Sequence, residues 1–270
     1  MISPHTDVFC VIGNPVSHSL SPMMHNAALE AAGYDGVYLA FEVSDVSAAV
    51  EGIRAFGIRG VSVTIPHKVS IMSHLDDIDE TAREIGAVNT IVNRGGILSG
   101  YNTDCSGAVS ALLEKTQVDE KRVLIAGAGG AARAVGYGLS CRGAHVVFCN
   151  RTEEKARQLA QDLHVSFCSL EDIEKEAWDI LVNTTSVGMT PKTEEIALPE
   201  TILRPGRVVM DIVYNPLETT LLKKAARAGC ITVDGAAMFI QQGVCQFELW
   251  TGGKAPITVM EDTVRKALSE

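Results

Sequence analysis

The chain lacks an excess of positive charge, and this limits the partners that it can have. Its 270 residues include 23 Lys and Arg against 33 Asp and Glu, a formal net charge of −10 at pH 7. A protein that binds nucleic acid presents a basic face to the phosphates, so no nucleic-acid partner is expected. An anionic membrane surface is disfavoured for the same reason. A small anionic substrate remains compatible, provided that a few cationic groups are concentrated locally.

Long apolar runs and paired cysteines are also missing. No apolar run approaches the ~18 residues that a membrane-spanning helix needs, and Asp7 interrupts the N-terminal stretch, so no membrane span or signal peptide is predicted. The cysteines number seven, are irregularly spaced and include no C-x-x-C pair. Several lie inside apolar runs, where a free thiol behaves as a small hydrophobe. This usage favours a reducing compartment, and we expect a cytoplasmic protein.

Metal-binding motifs are absent as well. The sequence contains no H-E-x-x-H motif and no Cys/His cluster at ligand spacing, so no metal site is predicted. His18 and His67 are isolated histidines. His67 directly precedes Lys68, and we expect it to pack or to form a hydrogen bond locally.

What the sequence does contain is a regular alternation of predicted strands and helices. A charged segment, residues 114–122, separates two alternating sets. The predicted strands are residues 8–12, 37–43, 60–65, 87–92, 98–101, 123–126, 145–149, 178–183 and 208–213. The predicted helices are residues 23–32, 47–56, a short one near 81, 102–115, 131–140, 153–162, 221–228 and most of the chain from 236. Such alternation is typical of βαβ crossovers and a parallel sheet.

These elements predict an α/β protein with two lobes. The first lobe, residues 1–103 completed by C-terminal helices in 236–270, is expected to hold a mainly parallel sheet. The second, residues 104–235, is expected to be a Rossmann dinucleotide-binding domain. The first helix shows clear end signals, because Ser21 suits the N-cap, Pro22 the first turn and Gly33 the position after the helix.

The segment Ile58–Lys68 contains a strand followed by candidate site residues. Residues 61–65 alternate branched apolar and hydroxyl side chains, and Pro66 ends this strand pattern. Thr64 and Lys68 therefore lie at or just past the end of the strand, where α/β proteins place ligand-contacting groups. A lysine held there can act as an acid/base group or bind an anion. A solvated lysine after a turn is the alternative interpretation.

A glycine-rich turn follows the strand at residues 123–126. The segment 127–133, Gly-Ala-Gly-Gly-Ala-Ala-Arg, stands between this strand and a helix, the context expected of a dinucleotide-binding turn. Gly127 permits the tight turn, Gly129 lets the backbone approach a pyrophosphate, and the helix N-terminus presents unpaired N–H groups. Gly130 is an extra glycine, and Ala132 occupies the third small-residue position. A packing turn is the alternative interpretation.

The end of the next strand indicates the cofactor. An NAD site usually carries a carboxylate there, whereas this strand ends in Asn150-Arg151-Thr152. Arg151 can pair with a 2′-phosphate, and Lys155 lies one helical turn further on. The pattern favours NADP, although Glu153 and Glu154 place negative charge nearby. A solvated surface arginine is the alternative.

Nine short motifs occur in one order along essentially the whole chain. They are V-S-H-S-L-S-P (16–22), V-T-I-P-H-K (63–68), G-A-V-N-T (86–90), G-Y-N-T-D (100–104), G-A-G-G-A-A-R (127–133), N-R-T (150–152), N-T-T-S-V-G-M (183–189), D-I-V-Y-N-P (211–216) and Q-Q-G near 242. In this order they resemble the shikimate dehydrogenase family. The resemblance implies reversible, NADPH-dependent reduction of 3-dehydroshikimate to shikimate in the biosynthesis of chorismate and the aromatic amino acids.

The resemblance also implies residue roles. Lys68 and Asp104 correspond to the paired catalytic residues. The implied substrate ligands are Ser17, Ser19, Thr64, Lys68, Asn89, Asp104, Tyr214 and Gln242. The implied NADP-binding residues are Gly127, Ala128, Gly129, Gly130, Ala131, Asn150, Arg151, Thr152, Lys155, Thr185, Ile212 and Gly235. Gln241 is left open as an alternative to Gln242. Family members include monomers and dimers, so either state is expected.

These residue types also suit the chemistry without the family name. Hydride delivery to a ketone produces an alkoxide, which needs a proton donor and a cation. The ammonium group of Lys68 supplies both, and Asp104 can hold it in place and keep it charged. A polyhydroxylated ring requires several amides and hydroxyls. Such residues are Ser17, Ser19, Thr64, Asn89, Thr103 and Gln242.

Other interpretations remain at this point. Ser17 and Ser19 can simply stabilise turns, and Asp104 can be the N-cap of its helix. A related activity on quinate, with NAD, is the nearest alternative function, and Ser17 and Arg151 argue against it. A non-catalytic nucleotide-binding module would be expected to lack Lys68 or Asp104. A two-lobed dehydrogenase acting on an unrelated substrate, such as a folate carrier, would leave the S-H-S and N-T-D motifs without a common purpose.

Overall fold

Residues 2–269 are described by the computed structural model, and they divide into two compact units. One unit runs to Thr103 and resumes at Gln242, and the other is Asp104–Gln241. The chain returns from the second unit to the first between Gln241 and Gln242, inside a helix. The boundary predicted from the sequence was residue 235. The expected outer limits, Met1 and Glu270, lie outside the described residues.

Strands and helices alternate along both units. The strands are β1 (Asp7–Gly13), β2 (Gly36–Glu42), β3 (Gly60–Val63), β4 (Asp77–Ile78), β5 (Thr90–Arg94), β6 (Ile97–Tyr101), β7 (Arg122–Ala126), β8 (His145–Cys149), β9 (Ser166–Phe167), β10 (Ile180–Asn183), β11 (Val208–Asp211) and β12 (Ile231–Val233). The helices are α1 (Ser21–Ala31), α2 (Val46–Ala55), α3 (Glu80–Ile85), α4 (Asp104–Leu113), α5 (Gly130–Ser140), α6 (Glu153–Asp162), α7 (Thr220–Arg227), α8 (Gly235–Thr251) and α9 (Ile257–Ser269). Two short 3₁₀ helices cover Ser70–His74 and Glu200–Ile202.

The first unit contains a mainly parallel sheet, as predicted. Its strand order is β2-β1-β3-β5-β6-β4, and β5 runs antiparallel to both of its neighbours. One face of the sheet packs on α2, where Cys10 and Ile12 of β1 meet Val50 and Ile53. On the other face, Phe9 lies 5.5 Å from the ring of Trp250 on α8.

The second unit is a Rossmann-type sheet. The order β12-β11-β10-β7-β8-β9 is parallel throughout, with the strand order reversing between β7 and β10. Successive residues of each strand alternate between two buried clusters: Val123 and Ile125 face α5 and α6, whereas Leu124 faces the side of α7. The continuous apolar pattern of these strands follows from burial on both faces.

Several of these elements differ from the sequence-based expectations. Ser21 is the first residue of α1 rather than its N-cap, which is Leu20. The strand predicted at 87–92 begins only at Thr90, because the N–H of Ala87 bonds to Ala82 and closes α3. The short strands β4, β9 and β12 were not predicted, since two or three residues carry little periodicity.

Among the described residues, no helix is long and apolar enough to cross a membrane.

Candidate functional site

In the first unit, the predicted substrate ligands come together at one edge of the sheet. The loop with Ser17 and Ser19 follows β1, Thr64 follows β3, and Asn89 directly precedes the antiparallel strand β5. Because β5 runs in the opposite direction, its beginning lies at the same edge as the ends of β1 and β3. The topology therefore gathers segments that are far apart in the chain.

The loop before α1 is shaped by Ser19. Its N–H bonds to the carbonyl oxygen of Val16 at 3.0 Å, and its hydroxyl accepts the N–H of Ser21 at 3.3 Å. This second contact satisfies an N–H group at the start of α1 that Leu20 cannot cap. Ser19 is half-buried and Ser17 is exposed, so Ser19 has a structural role in addition to any ligand contact.

The segment after β3 holds Thr64 and Lys68 through its backbone. The N–H of Thr64 bonds to Ile12 at 2.9 Å, and the carbonyl oxygen of Lys68 accepts the N–H of Val88 at 2.8 Å. His67 is buried, and its Nε2 donates to the carbonyl oxygen of Val43 at 2.7 Å. His67 is thus packed, as expected, but its hydrogen bond is not local, because it ties the Lys68 segment to the end of β2.

Asn89 and Gln242 are both buried. The amide oxygen of Asn89 accepts the backbone N–H of Thr103 at 2.8 Å. Gln242 lies on α8, while its neighbour Gln241 is only partly buried and has its Nε2 3.4 Å from a carboxylate oxygen of Glu114. The two adjacent glutamines therefore have different environments, Gln242 being buried and Gln241 partly exposed beside Glu114.

In the second unit, every predicted cofactor-binding segment lies at the carboxyl edge of the parallel sheet. The glycine turn follows β7, Asn150–Lys155 follows β8, Thr185 follows β10, Ile212 follows β11 and Gly235 follows β12. In open α/β sheets, ligands bind at this edge, where the strand order reverses. The glycine turn stands at that reversal, between β7 and β10.

The glycine turn is tightly constrained at one position and open at another. Gly127 has φ of +124°, and a Cβ there would lie 2.3 Å from Oγ1 of Thr184, so only glycine fits. Gly129, the N-cap of α5, is exposed, and a Cβ there would have no neighbour within 4 Å. This open space directly before the helix N-terminus fits the approach of a pyrophosphate group.

Cationic side chains lie at the adjacent strand end. Arg151 and Lys155 are exposed, and the side chain of Asn150 donates to the carbonyl oxygen of Thr152 at 2.9 Å, which shapes the turn. Arg133, the arginine of the glycine motif, is instead paired with Asp162 at 2.7 Å. Arg151 and Lys155 are therefore exposed cations at the end of β8, a type of side chain that pairs with phosphate groups.

A buried polar cluster at the ends of β10 and β11 contains Asn183, Asp211 and Thr219, three residues that were not among the predicted site residues. The carboxylate of Asp211 accepts from Asn183 at 2.9 Å, from Thr219 at 2.7 Å and from the N–H of Val213 at 3.1 Å. Burial raises the pKa of Asp211 to about 6, against the lowering effect of these hydrogen bonds. The amide oxygen of Asn183 in turn accepts the N–H and hydroxyl of Thr185. The sequence does carry a signal for this cluster, because each of the two apolar strands ends in a polar residue, Asn183 or Asp211.

The remaining predicted residues of the second unit lie in the loop after β11 and at the starts of α8 and α4. The ring of Tyr214 stacks on Phe239 at 4.6 Å. A Cβ on Gly235 would lie 2.5 Å from the carbonyl oxygens of both Ile212 and Val213, so α8 must begin with glycine. Asp104 is the first residue of α4 and is buried, where the helix N-terminus stabilises a negative charge.

Among residues 2–269, no group of three or more His, Cys, Asp or Glu is placed to hold a metal ion.

Comparison with known proteins gives consistent matches over the entire chain. Family models described as shikimate dehydrogenase substrate binding domain, shikimate / quinate 5-dehydrogenase and shikimate 5'-dehydrogenase C-terminal domain match residues 11–91, 110–213 and 235–265. A relative from Moorella thermoacetica, named Shikimate dehydrogenase (NADP(+)), is 46% identical over 282 residues, covering 99% of this chain and 95% of the relative.

Solved structures match equally well. A shikimate dehydrogenase in complex with NADP+ has a TM-score of 0.95 and 43% identity, covering 100% of this chain and 98% of that one. The Thermus thermophilus enzyme, in complex with NADP(H) and shikimate, has a TM-score of 0.91 and 36% identity, with coverage of 97% and 100%. With this identity over nearly full length, the chain belongs to the shikimate dehydrogenase family.

Proposed function

We propose that the protein catalyses the reversible, NADPH-dependent reduction of 3-dehydroshikimate to shikimate, in the pathway to chorismate and the aromatic amino acids. The observation that carries the proposal is the full-length match to relatives named Shikimate dehydrogenase (NADP(+)), at 46% identity for the Moorella thermoacetica protein. A structure in complex with NADP(H) and shikimate matches over 97% of this chain. The substrate is thus a small molecule and the cofactor is NADP.

The two binding roles divide between the lobes. Residues 1–103 with 236–270 are proposed to bind the substrate, through Ser17, Ser19, Thr64, Asn89 and Gln242. In support, the family model described as a substrate binding domain matches residues 11–91. Residues 104–235 are proposed to bind NADP, since the open N-terminus of α5 and the exposed Arg151 fit a pyrophosphate and a 2′-phosphate. Tyr214 is proposed to contact the substrate.

The catalytic step needs a proton at the carbonyl oxygen of the substrate. NADPH, when bound, supplies the hydride. Lys68 is proposed to donate the proton to that oxygen as the new C–H bond forms, and to take it back in the oxidation of shikimate. Asp104 is proposed to keep the ammonium group charged and oriented. The amide and hydroxyl ligands orient the ring and select for its hydroxyl groups.

Nicotinamide absorbance with purified protein tests the proposal. NADP reduction with shikimate is expected, and Lys68→Ala should lower kcat by about 10²–10⁴-fold. Lys254→Ala, a change at an exposed lysine of the same unit, is the control and should leave kcat unchanged. Faster turnover of quinate with NAD would instead support the alternative substrate and cofactor. NADP binding without turnover of either acid would leave a non-catalytic nucleotide-binding module.

Compartment and assembly are proposals as well. None of the seven cysteines forms a disulfide, which supports a reducing, cytoplasmic location. For assembly we retain both expected states, a monomer and a homodimer.

A further inference from the structure

Gly13 and Thr64 lie side by side on neighbouring parallel strands of the first unit. Gly13 ends β1, and Thr64 directly follows β3. The backbone hydrogen bonds between the two strands continue past both positions. The N–H of Thr64 bonds to the carbonyl oxygen of Ile12 at 2.9 Å. The N–H of Asn14 bonds to the carbonyl oxygen of Ile65 at 2.9 Å. Gly13 is therefore held in register beside a residue that is proposed to bind the substrate.

The side chain of Thr64 occupies the space that a side chain at position 13 would need. A Cβ on the buried Gly13 would lie 2.4 Å from Cγ2 of Thr64, a distance at which two carbon atoms overlap. It would also lie 3.1 Å from the carbonyl oxygen of Ile65. The φ of Gly13 is not in the left-handed region. Glycine is therefore required here for space rather than for its backbone freedom.

The methyl group and the hydroxyl of Thr64 move together. Both are attached to Cβ, so a rotation about χ1 that displaces the methyl group also displaces the hydroxyl. The contact with Gly13 therefore selects a χ1 rotamer of Thr64 and, with it, the position of the hydroxyl. Within residues 2–269, this hydroxyl forms no hydrogen bond. Thr64 is half-buried, so its hydroxyl is accessible to a ligand.

We propose that Gly13 is a positioning residue for substrate binding. Because it has no side chain, it seats the methyl group of Thr64 against β1 and thereby fixes the hydroxyl of Thr64 for a ring hydroxyl of the substrate. Gly13 stands at the edge of the sheet where the other proposed substrate ligands lie, since the loop with Ser17 and Ser19 follows β1. The inference rests on the proposed function, because Thr64 is a proposed substrate ligand.

Gly13→Ala and a suppressing second change test the proposal. Gly13→Ala should force Thr64 into another rotamer and raise KM for shikimate about tenfold, with kcat nearly unchanged. Thr64→Ser lacks Cγ2 but keeps the hydroxyl, so adding it to Gly13→Ala removes the overlap. KM of the double variant should therefore return to that of Thr64→Ser alone. The contact with the carbonyl oxygen of Ile65 is the same in both backgrounds and cancels in this comparison.

Thr64→Ser alone tests the role of the methyl group, whether or not Gly13→Ala folds. Without the methyl group, the hydroxyl can take other staggered positions, and KM for shikimate should rise about threefold. KM for NADP should stay the same in all of these variants, since Gly13 and Thr64 both lie in the first unit.

Gly36→Ala is the matched control. Gly36 begins β2, at the opposite edge of the same sheet. A Cβ there would lie 3.0 Å from the ring of Phe9 and 3.1 Å from the ring of Tyr34. Neither of these crowded side chains is a proposed ligand. The control should therefore lower thermal stability and leave KM for shikimate unchanged.

The outcomes distinguish this inference from the proposed function. A wild-type protein that does not turn over shikimate overturns the proposed function and the inference together. With an active wild type, an unchanged KM in folded Gly13→Ala or in Thr64→Ser overturns the inference alone. It is also overturned by an equal rise of KM in Gly36→Ala, or by a double variant that keeps the KM of Gly13→Ala. Each of these results would indicate a general disturbance of the sheet rather than a rotation of Thr64.

Discussion

Asn183 and Asp211 stand side by side at the ends of β10 and β11, and the amide of Asn183 donates to Asp211 at 2.9 Å. Asn183 also holds Thr185 through its amide oxygen. Asp211 anchors the opposite segment through the N–H of Val213 and the hydroxyl of Thr219. One buried pair therefore fixes two of the loops proposed to bind NADP.

The first prediction concerns the titration of Asp211. Its pKa is raised from 3.8 to about 6 by burial, so the folded state binds the proton more tightly than the unfolded state. The stabilisation that comes from protonated Asp211 is complete below the pKa of the unfolded state and disappears as the pH rises through the pKa of the folded state. Asparagine does not titrate, so the Asp211→Asn variant does not lose stability in this way. Its free energy of unfolding relative to wild type should rise by about 2 kcal/mol between about pH 4.5 and pH 7.

Urea unfolding of the two proteins at several pH values measures this difference. Any constant penalty from placing an amide among these donors cancels, because only the change with pH is compared. A difference that does not vary with pH would show that Asp211 has an ordinary pKa in the folded protein.

The second prediction contrasts two glycines of α5. Gly129→Ala meets no atom within 4 Å, and the φ of −96° suits alanine, so thermal stability should be unchanged. The added methyl group occupies the space proposed for the pyrophosphate, and NADP affinity should fall about tenfold or more. At Gly136, a Cβ would lie 2.3 Å from the ring of Phe148. Gly136→Ala should therefore destabilise the protein by about 1–3 kcal/mol.

Calorimetric titration with NADP and thermal unfolding report the two effects separately. Normal NADP affinity in Gly129→Ala would contradict the proposed role of this turn.

Sequence periodicity predicted the elements that are long or buried on both faces. The strand at 145–149 and the helix at 153–162 have the predicted bounds, because turn signals flank a clear apolar pattern. The strand β9, with only two residues, has no such pattern. Its pairing with β8 depends on tertiary contacts that no local window contains.

The candidate site divides in the same way. Residues such as Lys68 and Gly129 stand at strand ends or turns, so their positions follow from the element pattern. Gln246 appears in the sequence only as one polar residue in a helix. Its bonds to Ser62 and Thr90 join positions more than 150 residues apart, and such pairing is set by the fold of the whole unit.

The third prediction concerns cofactor selectivity. Arg151→Ala should raise KM for NADP about 10- to 100-fold and leave the use of NAD unchanged, since only NADP carries the 2′-phosphate. Arg157→Ala is the control. Arg157 lies on α6, where it pairs with Glu153 at 2.8 Å and covers the ring of Phe167 at 4.0 Å. Steady-state kinetics with NADP and with NAD measures these effects. Equal KM values for NADP in the two variants would show that Arg151 does not bind the 2′-phosphate.

The last prediction separates the two adjacent glutamines of α8. Gln242 is buried, and it lies one helical turn before Gln246, so the two side chains share a face of the helix. Gln242→Ala should raise KM for shikimate about tenfold. Gln241, which contacts Glu114, faces a different side, so Gln241→Ala should leave this KM unchanged. Saturation kinetics at fixed NADP, with thermal unfolding as the folding control, compares the two variants. A raised KM in Gln241→Ala and an unchanged KM in Gln242→Ala would assign the substrate contact to Gln241. The face of α8 that carries Gln242 and Gln246 would then not be the one that meets the substrate.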